Sequence, residues 1–94
     1  MSKQAYQEKL EAQLAEWDAR LDLIKAKAKG LQAEAKIEYE SQLQALQHQR
    51  QEALARLEDL RKRSELAWED LKEGTERAWG EFGRAMESFA SHFK

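Results

Sequence analysis

Large apolar residues recur along the first part of the chain at alternating steps of four and three positions. At about 100° per helical residue, this spacing keeps them on one face of an α-helix. The series consists of Leu10, Leu14, Trp17, Leu21, Ile24, Ala28, Leu31 and Ala35. A heptad repeat of this kind is typical of a coiled-coil seam. We therefore predict a heptad section over residues 1–35.

The spacing of the apolar positions changes after residue 35. Consecutive steps of four residues appear among Tyr39, Leu43, Leu46, Arg50 and Leu54. Such steps act as stutters, which locally unwind a left-handed supercoil. Residues 36–56 therefore form a second section of the predicted helix.

An eleven-residue period takes over in the last part of the chain. Its two main lines are Leu60, Leu71, Phe82 and Phe93, and Leu57, Trp68, Trp79 and Ala90. A repeat of eleven corresponds to about 3.67 residues per turn and favours straight or slightly right-handed packing. Residues 57–94 are thus an aromatic section, in which we expect the helix packing to twist differently from that of the heptad section.

On a plain α-helix the seam stays within one sector from Tyr6 to Phe93, because the stutters and the eleven-residue repeats offset the drift of the heptads. The sequence therefore predicts an all-α protein in which residues 1–94 form a single module. We expect a long amphipathic helix that forms a homo-oligomeric coiled coil or helical bundle. A fully helical chain would be about 140 Å long. The predicted oligomerisation residues are Leu10, Leu14, Trp17, Leu21, Ile24, Leu31, Leu46, Leu57, Leu60, Trp68, Leu71, Trp79, Phe82, Met86, Phe89 and Phe93.

Turn signals are poor. Gly30 lies within an unbroken seam, so we interpret it as a point of flexibility or close packing and not as a loop. The best candidate break is at Gly74, which could end one helix while Thr75 caps the next. We favour a continuous helix, because the seam stays in phase across Gly74. A helical hairpin folded back near residues 40–50 would use the same core residues.

A second heptad line runs along the opposite face of the first half. It consists of Ala12, Ala19, Leu23, Ala26, Gly30, Ala33 and Ile37. Small residues let helices approach closely, so this line predicts a second contact face. The alternative is that alanine occurs there as the best helix former and faces solvent. Both interpretations stay open at this point.

Composition narrows the class of protein. In 94 residues there are 36% charged and 41% hydrophobic residues, and neither proline nor cysteine occurs. A chain this short has difficulty burying a large core alone, so we expect partner chains to complete the burial. The lack of cysteine excludes disulfides, thiolate metal ligands and a nucleophilic cysteine. No apolar run fits a signal peptide or a membrane span, which predicts a soluble cytoplasmic protein.

Candidate chemistry is sparse. His48 and His92 are interpreted as surface histidines, and no metal or cofactor is expected. The abundant carboxylates carry no catalytic signal, because acid–base catalysis needs a dry pocket that shifts a pKa. The glycines do not form a phosphate-binding loop. The sequence thus predicts that the protein is not an enzyme.

Nucleic-acid binding was considered because Arg61, Lys62 and Arg63 form a short basic cluster. Acidic residues flank this cluster, and the whole chain has a net charge of −2. A phosphate binder is expected to carry a basic surface. The sequence therefore argues against nucleic acid as a partner.

The aromatic segment 64–94 is also the acidic part of the chain. Its seam is widened by Ala67, Ala78 and Ala90 into a broad apolar sector. In one interpretation this face is buried against other copies in a bundle. In the other it binds a membrane or lipid surface, for which Trp and Phe are well suited. We favour the first, because anionic lipid would repel an acidic helix.

The residues WEDLKEG at 68–74, followed by Ala78 and Trp79, carry a resemblance to small bacterial coiled-coil proteins that are labelled stress-response proteins. The resemblance extends over most of the chain and implies a bacterial, cytoplasmic, all-helical protein without a catalytic residue. The eleven-residue repeats are also similar to those of apolipoproteins. The predicted function is a non-enzymatic, self-associating structural or interaction protein related to stress, with an apolipoprotein-like lipid-binding helix over residues 64–94 as the alternative.

Overall fold

The structure, a computed structural model, describes residues 2–93 and is helical with no strand in that range. Helix α1 spans Lys3–Ala28, α2 spans Ala33–Lys62 and α3 spans Lys72–His92, and a short 3₁₀ turn over Trp68–Leu71 precedes α3. The prediction of an all-α protein is confirmed. Each helix has its own apolar stripe, as the seam pattern requires.

The three helices lie side by side in an up-down-up bundle. The amino group of Lys3 donates to the carbonyl of Arg61 at 3.1 Å, so the start of α1 meets the end of α2. At the opposite end, the ring of Phe93 packs 4.8 Å from that of Tyr39, near the start of α2. The molecule measures 52 × 20 × 18 Å. The predicted continuous helix of about 140 Å is therefore wrong.

The first reversal falls at residues 29–32. The N–H groups of Lys29, Gly30 and Leu31 donate to carbonyls three residues earlier, at 3.3, 3.1 and 3.3 Å, which tightens the end of α1. Gln32 then adopts an extended conformation before α2 begins. Gly30 thus lies in a turn, and its interpretation as a point of flexibility or close packing and not as a loop is wrong. The seam stays in phase across this turn because both helices face the same core.

The second reversal falls at residues 63–67, where neither glycine nor proline marks it. Arg63 is extended and ends α2. The carbonyl of Ser64 accepts from the N–H groups of Ala67 and Trp68, both at 3.1 Å, which closes the turn. Leu66 projects from this linker with 97% of its surface exposed.

The candidate break at Gly74 is wrong, because Gly74 lies inside α3 and the helix continues across it, as the in-phase seam predicted. A Cβ atom there would lie 3.3 Å from Nη1 of Arg56, so the glycine serves a close approach between α3 and α2. Thr75 does not cap a helix either. Its side chain is fully buried, and its hydroxyl donates to the carbonyl of Leu71 at 2.8 Å.

The alternative hairpin folded back near residues 40–50 is also wrong, since α2 runs through this range without interruption. Tyr39, Leu43 and Leu46 are buried along it and face the common core. A turn among them would place at least one of these side chains in water, which costs about 1.5–3 kcal/mol for a side chain of this size.

Candidate interaction surfaces

The predicted oligomerisation residues form the core of a single chain. Those that are buried are Leu10, Leu14, Trp17, Leu21, Leu46, Leu57, Leu60, Trp68, Trp79, Phe82, Met86 and Phe89, and those that are partly buried against them are Ile24, Leu31, Leu71 and Phe93. The structure therefore brings all of them together, and the contacts are made between helices of the same molecule. It also buries Tyr39, Leu43 and Ala53 with them.

Trp17 on α1 is the centre of the contact between α1 and α3. Its ring lies 4.8 Å from that of Phe82 in an edge-to-face arrangement and 6.4 Å from that of Trp79. A Cβ atom on Gly83 would lie 3.3 Å from Cζ2 of Trp17, so the glycine makes room for the indole. Trp17 of α1 is thus the packing partner of two aromatic residues of α3, Trp79 and Phe82.

Trp79 carries a buried indole N–H that has no hydrogen-bond partner within residues 2–93. The side chain is 5% exposed. A buried donor without an acceptor costs about 1–3 kcal/mol. The aromatic packing of Trp79 must therefore offset the free-energy cost of its unpaired N–H.

Tyr6 closes the core at the end where α1 begins. Its ring lies 5.3 Å from that of Trp68, and the ammonium of Lys72 lies 5.5 Å above it. Its hydroxyl donates to Glu76 at 3.4 Å. Burial, together with the negative charge of Glu76 and this hydrogen bond, raises the pKa of Tyr6 to about 12.

Tyr39 plays the same part at the other end of the bundle. Its ring meets that of Phe89 at 5.0 Å and that of Phe93 at 4.8 Å, both nearly perpendicular. Burial raises the pKa of Tyr39. A hydrogen bond lies beside this cluster, between Nε2 of His92 and Oε1 of Glu38 at 2.9 Å. The C-terminal end of α3 is therefore fastened to the start of α2.

The ion pair of Arg50 and Asp18 joins α1 to α2 at mid-length. The guanidinium donates twice, from Nε to Oδ1 at 2.6 Å and from Nη2 to Oδ2 at 3.0 Å. The hydrogen bond to Asp18 raises the pKa of Arg50. Arg50 occupies a seam position in the sequence. Its charge is tolerated there because Asp18 on α1 supplies a carboxylate that pairs with it.

Both histidines have carboxylate partners that were not predicted from the sequence. His48 lies 3.9 Å from Glu52, four residues later on the same helix, and His92 pairs with Glu38, which lies far away in sequence. The first pair could have been found from the spacing alone. Among residues 2–93 there is no group of three or more His, Asp or Glu side chains close enough to hold a metal ion.

The solvent side of α1 differs from that of the other helices. We define the outer face of α1 as the exposed residues Ala12, Ala15, Ala19, Leu23 and Ala26. Leu23 is 72% exposed. This face contains most of the second heptad line, so the structure leaves that line in solvent.

The outer sides of α2 and α3 are polar by comparison. Ile37 is 73% exposed on α2, but three of its four exposed neighbours one turn away are polar, namely Glu34, Glu40 and Ser41, and the fourth is Ala33. On α3 the exposed positions are mostly charged, with Arg77, Glu81 and others. Isolated apolar residues are normal on a protein surface, whereas a continuous line of them marks a contact.

The fold defines an all-helical protein of the three-helix bundle class. No helix within residues 2–93 combines the length and apolar character needed to cross a membrane. No family model matches the chain, and neither a curated protein nor a solved structure matches it.

Proposed function

We propose that the protein is a non-enzymatic helical module that associates with copies of itself and has a structural or interaction role. The observation that carries the proposal is the apolar outer face of α1, where Leu23 is 72% exposed. Apolar residues at heptad spacing are the means by which helices associate side by side. A role in the bacterial stress response, in the cytoplasm, is part of the proposal and rests on the resemblance alone.

The seam itself is unavailable for contacts between folded copies. Trp79 and Phe82 are 5% and 0% exposed, because α1 and α2 cover them. These side chains could contact another copy only if the two bundles exchanged a helix. Association between folded copies must therefore use a surface outside the core.

The proposal is tested by the solution mass of the full chain over a wide concentration range. Sedimentation velocity and light scattering are expected to show a helical dimer or small oligomer that dissociates on dilution. Circular dichroism is recorded on the same samples. A helical monomer at every concentration would contradict self-association.

A second candidate function is reversible binding to a lipid surface by residues 64–94. The observation that favours it is the build of α3, which carries Trp79, Phe82 and Phe89 on one face. Its three glycines each cost about 1 kcal/mol relative to alanine in a helix. The exposed linker at residues 63–67 could let α3 swing away from α1 and α2 and expose its apolar face.

Vesicles of zwitterionic and of anionic lipid test this alternative. Lipid binding predicts co-sedimentation with the vesicles and a loss of near-ultraviolet circular dichroism as the tryptophans leave the core, while the far-ultraviolet signal of helix stays. Protein that remains in the supernatant with an unchanged near-ultraviolet spectrum would exclude it. Stronger binding to the zwitterionic vesicles is expected, because α3 is acidic.

A further inference from the structure

The apolar stripes of α2 and α3 would lie on one side if the two helices were joined into a single straight helix. At 100° per residue, the buried side chains of both helices fall within one sector of about 100°. Leu57, Trp68 and Trp79 lie in this sector at steps of eleven residues. The linker at residues 63–67 could therefore become helical without moving the stripe of α3 away from that of α2.

The linker departs from a helix at few residues. Arg63 has φ −81° and ψ 149°, so its φ is close to helical and its ψ differs from the value of about −42° in an α-helix. Ala67 and Leu71 are already in the right-handed helical region. Neither glycine nor proline occurs in the linker. Rotation about Arg63 and its neighbour Ser64 is therefore the main change that would straighten it.

Straightening the linker would cost little packing. Residues 61–66 are exposed, so this part of the chain buries little apolar surface in the bundle. The turn is held by two hydrogen bonds to the carbonyl of Ser64. A straight helix would give each N–H from Ser64 to Ala67 a carbonyl four residues earlier. The linker thus has two conformations that are both hydrogen-bonded.

The contacts between α2 and α3 are centred on Glu65. Glu38 and His92, which share a hydrogen bond, lie equally far from Glu65 along the chain. Arg56 and Gly74, which approach each other closely, also lie equally far from it. Two straight α2–α3 helices that run antiparallel about a two-fold axis beside Glu65 would repeat these contacts between chains. The α3 of a second copy therefore fits the hairpin of α1 and α2 as the chain's own α3 does.

The same arrangement accommodates both α1 helices. The hydrogen bond from Lys3 places the start of α1 beside Arg61, which precedes the axis at Glu65. The two α1 helices therefore lie on opposite sides of the axis, and each keeps the ion pair of Asp18 with Arg50 on its own α2. The two Glu65 side chains and the starts of the two α1 helices come close at the axis. Like charges there oppose the exchange and favour the single-chain bundle.

We propose that two copies of the chain exchange α3, so that α2 and α3 of each copy form one helix and each α3 packs on the α1–α2 hairpin of the other copy. The inference rests on the proposed association of the chain with copies of itself. It adds a route that uses the core and leaves the outer face of α1 free. Because the core contacts are the same in both states, the balance depends on the linker and on the protein concentration.

Refolding at two protein concentrations tests the exchange. A short linker gives α3 an effective concentration in the mM range, so refolding from urea at about 1 mM protein should yield a dimer and refolding far below it the monomer. The dimer is expected to persist after dilution, because α3 must leave the core before the copies separate. Size-exclusion chromatography with light scattering measures both fractions. Monomer alone at both concentrations would overturn the proposal.

A crosslink between α2 and α3 shows which chain supplies α3. Glu38→Cys and His92→Cys are combined in one chain, which has no other cysteine, and both side chains are more than half exposed. A short bis-maleimide should join the thiols within one chain in the monomer and between two chains in the dimer, as measured by denaturing gel electrophoresis. Either substitution alone should give no covalent dimer, because its two copies lie far apart.

Two substitutions at Glu65 should shift the balance in opposite directions. The carbonyl of Ser64 accepts from Ala67 and Trp68, so Glu65 is the first residue of the turn, where proline is tolerated. Glu65→Pro should keep the circular dichroism of the monomer and abolish the dimer, because proline breaks a continuous helix. Glu65→Ala should raise the dimer fraction at least about twofold, because alanine favours helix and removes the like charges. Equal dimer fractions in the two variants would contradict the exchange.

The outcomes separate the inference from the function on which it rests. A dimer that dissociates on dilution, with crosslinks inside one chain, would leave the proposed self-association standing and overturn the exchange. A monomer under every condition would overturn both. A persistent dimer with crosslinks between chains supports both.

Discussion

Asp18 and Arg50 form a two-pronged ion pair between α1 and α2, with donor–acceptor distances of 2.6 and 3.0 Å. The planar guanidinium matches the carboxylate, so the pair fixes how far α1 slides along α2. Both side chains are about one third exposed, which limits the strength of the interaction through solvent screening. The pair therefore contributes more to the register of the two helices than to the total stability.

The first prediction concerns this pair. Asp18→Asn keeps the shape of the side chain but removes its charge, and we expect it to lower the free energy of unfolding by about 1 kcal/mol. Glu16→Gln, in the exposed pair with Arg20 on one helix, is the control and should cost less than about 0.5 kcal/mol. Urea denaturation followed by circular dichroism measures both. Equal effects of the two changes would show that the Asp18 pair has no special role.

The second prediction concerns the unpaired indole of Trp79. Trp79→Phe removes a buried donor and some apolar area together, so these effects should largely offset each other and leave stability within about 1 kcal/mol. Trp79→Ala should cost about 3–5 kcal/mol, because it leaves a cavity. Thermal and denaturant unfolding distinguish the two. A loss of several kcal/mol in Trp79→Phe would show that the packing contacts of the indole outweigh the cost of its unpaired N–H.

The same burial rules out one use of Trp79. A change such as Trp79→Glu would place a charge in the core and unfold the bundle, so a loss of association in that variant would report on folding and not on an interface. Exposed positions such as Leu23 are the appropriate sites for tests of association.

The third prediction compares two glycines of α3. A Cβ atom on Gly80 would meet only the guanidinium of Arg84, an exposed side chain that can move. Gly80→Ala should therefore stabilise the protein by about 0.5–1 kcal/mol. On Gly83 the new methyl group would press on the ring of Trp17, so Gly83→Ala should give no gain or a loss of about 1 kcal/mol. Equal stabilisation by both would show that Trp17 is not tightly held.

The fourth prediction concerns high pH. The pKa of Tyr6 is raised to about 12 from 10.0, so the folded state favours the neutral phenol. The stability that this provides is complete below pH about 10 and is lost as the pH rises from about 10 to about 12. Denaturation at a series of pH values measures this loss, together with the absorbance of tyrosinate.

Tyr6→Phe is the control for the pH prediction. It removes the titrating group and should flatten the fall in stability above pH about 10. A smaller dependence should remain, because burial also raises the pKa of Tyr39. An unchanged pH profile in Tyr6→Phe would contradict the assignment to Tyr6.

The seam predicted from sequence identifies nearly all of the core, from Tyr6 through Trp17 and Trp79 to Phe89. An apolar stripe shows only which side of a helix is buried. The same stripe is expected whether the helix that covers it belongs to the same chain or to another chain. For this reason the pattern could not distinguish an extended oligomer from a folded bundle. A seam that stays in phase across Gly30 is expected for an extended oligomer and for a folded bundle alike.

The two turns between the helices were not predicted from the sequence, and the physical reason differs between them. At residues 29–32 the chain reverses with Gly30 at a negative φ, so the glycine is not required there for a left-handed conformation. At residues 63–67 the reversal depends on the carbonyl of Ser64 and on an extended Arg63, neither of which has a distinctive sequence signal. Gly74 does not end a helix, because its missing side chain instead leaves room for the guanidinium of Arg56.

The linker at residues 63–67 has a consequence for the covalent chain. It begins at Arg63, directly after Arg61 and Lys62, and residues 61–66 are all exposed, so a trypsin-like protease would cut the molecule there. Because Tyr6, Trp17 and Tyr39 hold the aromatic rings of the last segment, the two fragments would stay bound as a noncovalent complex. The segment after the linker is therefore held to the hairpin of α1 and α2 by noncovalent contacts as well as by the chain.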